Sequence, residues 1–194
     1  ADQLRQCSVN RPTHVFVQAG VGSLAGAVVG YFANLFPSDP PKFVVMEAGA
    51  ADCLYQGAMA NDGKPRIVTG DLKTIMAGLA CGEPNTISWD ILRNHVSAFI
   101  SCPDWVSAKG MRMLSSPVKG DPRVVSGESG AVGMGVLDAI MCDDTYKELR
   151  DALELDRHSR VLMFSTEGNT DPEKYRRVVW DGAYPTDDTP QKPC

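Results

Sequence analysis

Apolar positions along the chain fall into short, nearly continuous runs, and the segments between them carry helical spacing. His14 to Gln18 (HVFVQ), Lys42 to Glu47 (KFVVME), Ala98 to Cys102 (AFISC) and Arg160 to Ser165 (RVLMFS) read as strands. Runs this short and this apolar suit strands that are covered on both faces. Helices are predicted over 24–36, 50–57, 89–96, 104–114, 129–141, 144–153 and 171–178, the first of them stopped by Pro37, Pro40 and Pro41. Residues 61–88 and 120–127 read as loops. Strands alternating with helices predict an α/β fold, with an open, mainly parallel sheet holding all four strands and helices on both faces. The expected organisation is one unit over residues 1–185 and a polar, proline-rich tail over 186–194. In such sheets ligands sit at the carboxyl ends of the strands. Chemistry is therefore expected just after Gln18, Glu47, Cys102 and Ser165.

Composition narrows the function classes. A chain of 194 residues with 43% hydrophobic residues can bury a core of its own. A net charge of -5 gives no electrostatic support to a nucleic-acid partner. No apolar run reaches the length of a membrane span. The opening ADQLRQCSVN is polar, unlike a signal peptide, and a cytoplasmic protein is expected. Residues 1–6 read like the last turns of a helix without a start, so the chain is expected to begin inside a longer protein. Cysteines at 7, 53, 81, 102, 142 and 194 form no CxxC pair and read as scattered thiols.

The sharpest local feature is Gly20-Val21-Gly22-Ser23-Leu24-Ala25-Gly26, which directly follows a strand and opens a helix. Glycines let the backbone turn tightly and approach a ligand. The N–H groups of a helix's first turn then face that ligand and favour an anion such as a phosphate. Ser23 can add a hydroxyl donor or cap the helix. The same string also fits the dinucleotide pattern GxGxxA through Gly20, Gly22 and Ala25, with Glu47 at the next strand's end placed to hold a ribose hydroxyl. The glycines alone leave an NAD(P)-binding module open.

Other groupings carry less. Gly127-Glu128-Ser129-Gly130-Ala131 resembles a nucleophile elbow but has Ala131 where glycine is required, and Ser129 reads as a helix N-cap. His14, His95 and His158 read as surface or structural, and no spacing supports a metal site. The polar burst Ser165 to Asp171 follows an apolar strand, a position that suits a ligand role as well as an ordinary strand-to-helix loop. Thr170 or Asp171 is expected to cap the next helix, with Pro172 in its first turn.

Taken together, THVFVQAGVGSLAGAVVGY, TIMAGLACGEPN, GMRML, VVSGESGAVGMGVL and FSTEGNTDPEKYRRVVWDG resemble the diaminopropionate ammonia-lyase family, in that order, from about residue 1 to residue 185. More broadly the chain is similar to the tryptophan-synthase-β-like group, fold type II of the pyridoxal-phosphate enzymes. The resemblance implies a C-terminal, cofactor-binding portion of such an enzyme, with pyridoxal 5'-phosphate as cofactor. It implies that Gly20, Val21, Gly22, Ser23 and Leu24 hold the cofactor phosphate, and that Ala77, Gly78 and Leu79 pass over one face of the pyridine ring. Ser165, with Thr166 beside it, falls at the ring nitrogen, and Glu128 falls in a segment near the ring. It implies α,β-elimination of a small amino-acid substrate, 2,3-diaminopropionate, to pyruvate and ammonia, and a homodimer of the complete enzyme. The Schiff-base lysine and the loop that grips the substrate carboxylate belong to the family's N-terminal half. None of the lysines here, Lys73 included, stands in the family's lysine contexts, so no catalytic residue is assigned and the chain alone is expected to be inactive. Cys53 and Cys81 both fall on the ligand side, and a bridge between them across the mouth of the site is expected.

Overall fold

A computed structural model describes residues 2–6 and 11–185. The elements run α1 (Asp2–Gln6), β1 (His14–Gln18), α2 (Ser23–Leu35), β2 (Lys42–Ala48), α3 (Cys53–Ala60), α4 (Thr86–His95), β3 (Val96–Cys102), α5 (Asp104–Ser115), α6 (Glu128–Cys142), α7 (Lys147–Leu153), β4 (Val161–Leu162) and α8 (Pro172–Val179). Short 3-10 turns occupy Ala77–Leu79 and Asp144–Tyr146. The predicted tail over 186–194 lies outside the described residues.

All four strands share one parallel sheet in the order β3-β2-β1-β4. The central strands β1 and β2 are buried along almost their whole length. Their side chains alternate between two cores. Phe16, Val44 and Met46 face a core completed by Val106, Met111, Ala131, Val132 and Val136, from α5 and α6. Val15, Val17, Phe43 and Val45 face the other, with Ala25, Val29, Leu54, Trp89 and Leu92, from α2, α3 and α4. The sheet is thus covered on both faces, as the unbroken apolar runs predict.

The last strand departs from expectation. Only Val161 and Leu162 form a ladder, opposite His14 and Val15, although Arg160 to Ser165 reads as a strand. Beyond Leu162 the chain is tied to β1 by a side chain instead: Gln18 Nε2 donates to the Phe164 carbonyl at 2.9 Å and to Thr166 Oγ1 at 2.9 Å. Helix α4 starts at Thr86, three residues before the predicted Trp89, because the Asn85 side chain accepts from the Ser88 N–H at 2.9 Å and caps it. Asp171 caps α8 through the Lys174 N–H at 3.0 Å, with Pro172 in the first turn as expected.

The thiols need correction. Cys53, Cys81 and Cys102 are free, so Cys53 and Cys81 are not bridged. The Cys53 Sγ lies 3.7 Å from the Cys81 carbonyl oxygen and 3.8 Å from that of Gly20, so it is turned to backbone acceptors and not to the other sulfur. Cys142 is disulfide-bonded, which removes it from the set of scattered thiols.

Candidate functional site

The glycine loop leaves β1 at its carboxyl end. Gly22 has φ 92, a left-handed conformation that side chains with a Cβ adopt only with strain. It is the N-cap of α2, and no side chain caps that helix end, so Ser23 stands inside the helix and does not cap it. The first intrahelical bond runs from the Gly26 N–H to the Gly22 carbonyl at 2.7 Å. The N–H groups of the preceding turn therefore lack partners of this kind and point out of the helix start. No acidic residue stands in that first turn to oppose an anion.

A cavity of about 280 Å³ lies against this helix start. Its walls come from four segments at the sheet's carboxyl edge: Gln18 to Leu24 from the end of β1 and the glycine loop, Gly78, Leu79 and Cys81 from the stretch before α4, Ser129 from the start of α6, and Thr166 and Glu167 from the loop after β4. Gly78 and Leu79 pack directly on the glycine loop. A Cβ on Gly20 would stand 3.3 Å from Leu79 Cα and 3.4 Å from the Gly78 carbonyl oxygen.

The residues singled out in the sequence are distributed unevenly over these walls. Gly20, Val21, Gly22, Ser23, Leu24, Gly78, Leu79 and Thr166 line the cavity, while Ala77 begins the 3-10 turn just outside it. Ser165 does not line it: its Oγ lies 3.1 Å from Ser126 Oγ and 3.5 Å from the Glu167 carbonyl. Glu128 also stands outside the lining and pairs with Lys174 Nζ at 3.1 Å, while Lys174 donates as well to the Ile75 carbonyl at 3.0 Å. Among the described residues no lysine lines the cavity.

Three lining residues escape a sequence reading. Gln18 orients Thr166, accepting nothing from it and donating to its oxygen, so that the Thr166 hydroxyl proton remains available to a further acceptor. Glu167 sends its Oε1 across to the Ser129 N–H at 2.6 Å and so caps α6 from another loop. The expected N-cap role of Ser129 is thereby displaced: the N-cap is Gly127, without a side-chain bond of its own, and Ser129 is the second residue of the helix.

Glu47 counts against the dinucleotide alternative. Its carboxylate is fully buried and accepts from the Leu54 N–H at 2.9 Å and the Tyr55 N–H at 2.7 Å. Both oxygens are committed to the start of α3, and burial pushes the carboxyl up to about 8. A residue so placed offers nothing to a ribose hydroxyl.

The pattern of the family described as "Pyridoxal-phosphate dependent enzyme" matches residues 1–167. The chain belongs to that family. Diaminopropionate ammonia-lyase of Salmonella typhimurium is 50% identical over 182 residues, covering 93% of this chain and 45% of the relative. Two crystal structures of the Escherichia coli diaminopropionate ammonia-lyase are similar. One, in complex with an aminoacrylate–pyridoxal-phosphate azomethine reaction intermediate, superposes with a TM-score of 0.83 at 46% identity, over 94% of this chain and 45% of that one. The other, in complex with D-serine, gives 0.84 at 44% identity, over 95% and 45%. The chain therefore spans a little under half the length of the relatives it matches.

The residues present fit the family's cofactor at its phosphate end and along its ring. Gly22 holds a backbone turn that a side chain would strain. The buried Ser129 Oγ, on the cavity wall, has no hydrogen-bond partner among the described residues. Such an orphan leaves a donor and an acceptor open on the cavity wall.

Proposed function

We propose that this chain is the C-terminal, cofactor-binding portion of a pyridoxal-phosphate-dependent ammonia-lyase that converts 2,3-diaminopropionate to pyruvate and ammonia by α,β-elimination. The observation that carries the reading is the 50% identity to a diaminopropionate ammonia-lyase across 93% of the chain. The D-serine complex of the Escherichia coli enzyme supports a small amino acid as the substrate class. A cytoplasmic location and a homodimer of the complete enzyme go with this reading.

When bound, the cofactor supplies the electron sink that the elimination needs. The chain's own residues receive and orient it. The N–H groups of Gly20 to Leu24 hold the phosphate, helped by the dipole of α2, an effect of about 0.3–2 kcal/mol. Ala77, Gly78 and Leu79 wall one face of the ring and keep water from it. Ser165 and Thr166 provide the hydroxyl pair for the ring nitrogen, with Thr166 on the cavity side and Ser165 held behind it by Ser126. A hydroxyl there donates to an unprotonated nitrogen, whereas a carboxylate would keep the ring protonated. Glu128 acts at one remove, fixing Lys174 and through it the backbone at Ile75, which leads into the ring-facing turn. The lysine that attaches the cofactor and the groups that work on Cα are assigned to the part of the relatives without a counterpart here.

The test is a titration of the purified chain with pyridoxal 5'-phosphate, inorganic phosphate and NAD. The expected result is that both phosphate ligands shift the amide signals of Gly22 and Ser23 and that NAD does not. Binding of NAD without binding of pyridoxal 5'-phosphate would overturn the reading.

A further inference from the structure

We infer that Ser129 is a further ligand contact of this cavity, one that meets the ring end of the bound molecule and not its phosphate. The inference rests on the cavity being a pyridoxal-phosphate site, as proposed above. Three observations carry the contact itself, and the place of Gly78 against the glycine loop assigns it to the ring end.

First, Ser129 is only 5% exposed, yet its Oγ has no hydrogen-bond partner among the described residues. A buried hydroxyl without a partner costs free energy, and native structures seldom leave one without a functional reason. Second, the residue lies on the cavity wall, so the missing partner can arrive from the cavity. Third, the residue is held in place by its backbone: the Ser129 N–H donates to Glu167 Oε1 at 2.6 Å, which fixes the first turn of α6. Glu167 is thus a positioning residue for the hydroxyl.

Which part of the ligand the hydroxyl meets follows from Gly78. A Cβ on Gly78 would lie 3.1 Å from Ser129 Oγ, while the Gly78 carbonyl oxygen lies 3.4 Å from the place a Cβ on Gly20 would take. Gly78 therefore packs against both the glycine loop and Ser129. A ligand whose phosphate sits on Gly20 to Leu24 reaches Ser129 only with its far, ring-bearing end. The ring carries oxygen and nitrogen atoms at its edge, and a serine hydroxyl can donate to either or accept from a protonated one.

Binding measured on the 194-residue chain separates this inference from the reading on which it rests. Pyridoxal 5'-phosphate and inorganic phosphate are titrated into the wild type and into Ser129→Ala, with amide signals as the readout, and the urea midpoint of each protein is recorded. Removing an unpartnered hydroxyl is expected to leave the midpoint unchanged or raise it. Affinity for pyridoxal 5'-phosphate should fall about three- to tenfold, the worth of one neutral hydrogen bond, while affinity for inorganic phosphate stays within about twofold. An unchanged pyridoxal-phosphate affinity in Ser129→Ala overturns the inference and leaves the proposed function standing. An equal loss for both ligands overturns it too, because the residue would then act on the site's general structure. A wild-type chain that binds inorganic phosphate but not pyridoxal 5'-phosphate overturns both readings.

Discussion

Glu47 is a group whose titration should be visible in the stability of the whole chain. It closes β2 beneath the site, fully buried, with its two oxygens on the Leu54 and Tyr55 N–H groups at 2.9 and 2.7 Å. Burial raises its carboxyl from the ordinary 4.5 to about 8; the two amide bonds pull the other way and do not win, and the nearby Asp52 charge adds to the rise. An acid whose value is raised on folding keeps a proton in the folded chain that the unfolded chain has already released. Stability from this group is therefore fully present below the unfolded value of 4.5 and is lost as pH rises through about 8. At about 1.4 kcal/mol per pH unit the whole span is on the order of 5 kcal/mol. Between about pH 6 and about pH 9 the expected loss is roughly 3 kcal/mol.

Urea denaturation at those two values checks this, with tryptophan fluorescence as the signal. Trp89 is a suitable reporter because its ring lies against α3, within 2.8 Å of the place a Cβ on Gly57 would take. With a slope of about 2 kcal/mol per molar urea, the midpoint should drop by about 1.5 M between the two values. Glu47→Gln cannot ionise. It leaves one of the two amides without a good acceptor, a constant cost of about 1–3 kcal/mol at every pH. The readout is thus the difference in pH dependence between wild type and variant, which cancels the other titrating groups. If the two proteins lose stability in parallel from about pH 6 to about pH 9, Glu47 is ionised throughout and the reasoning is wrong.

Three further outcomes are expected. Gly22→Ala should lower stability by about 1–2 kcal/mol in urea denaturation, because φ is 92 there and the new Cβ would stand 3.2 Å from Leu54 Cδ1; the phosphate-induced shift of the Ser23 amide should be lost with it. Thr166→Ala should weaken pyridoxal-phosphate binding by roughly tenfold at most, and Ser165→Ala by less, since the Ser165 hydroxyl is turned to Ser126; titration followed by absorbance decides the order. The purified chain given 2,3-diaminopropionate and pyridoxal 5'-phosphate should release no pyruvate in a coupled assay, because no lysine lines its cavity among the described residues.

The parts of the fold legible in the sequence are those set by periodicity and local turn chemistry. The apolar runs around Phe16 and Val44 mark buried parallel strands because both faces of the sheet are covered, and Asp171 with Pro172 marks the start of α8. The glycine loop is legible for the same reason, since strand, turn and helix are contiguous in the chain. What the sequence hides is made by residues far apart along it. Glu167 caps α6 from 38 residues away, so Ser129 looks like a cap when it is not one. The close approach of α5 and α6 is equally invisible. A Cβ on Gly110 would fall 2.1 Å from the Ala131 carbonyl oxygen, and one on Gly135 1.9 Å from that of Val106, so each glycine matters only to the other helix. The expected strand over 160–165 is shortened for a related reason: the run is apolar, but past Leu162 its backbone partner is replaced by the Gln18 side chain.

The charges around the cavity fix the direction in which a phosphate ligand lies in it. Two helix N-termini border the space, those of α2 and α6, and each is the positive end of its helix dipole. The α6 end is already matched, because the Glu167 carboxylate rests on the Ser129 N–H at 2.6 Å. The α2 end has neither an acidic side chain in its first turn nor a side-chain cap. A phosphate dianion placed at α6 would meet the negative charge of Glu167, whereas at α2 it meets N–H groups alone. Cys81 and Glu167 are the titratable residues on the walls, so among the described residues no cation competes for the phosphate at either end. On the proposed reading the phosphate lies on Gly20 to Leu24, and the ring extends toward Thr166 and Ser129, whose hydroxyls suit its polar edge. A cradle of neutral donors holds the ligand by geometry more than by charge. That suits the proposed reading, in which the covalent attachment of the cofactor is assigned to the part of the relatives without a counterpart here.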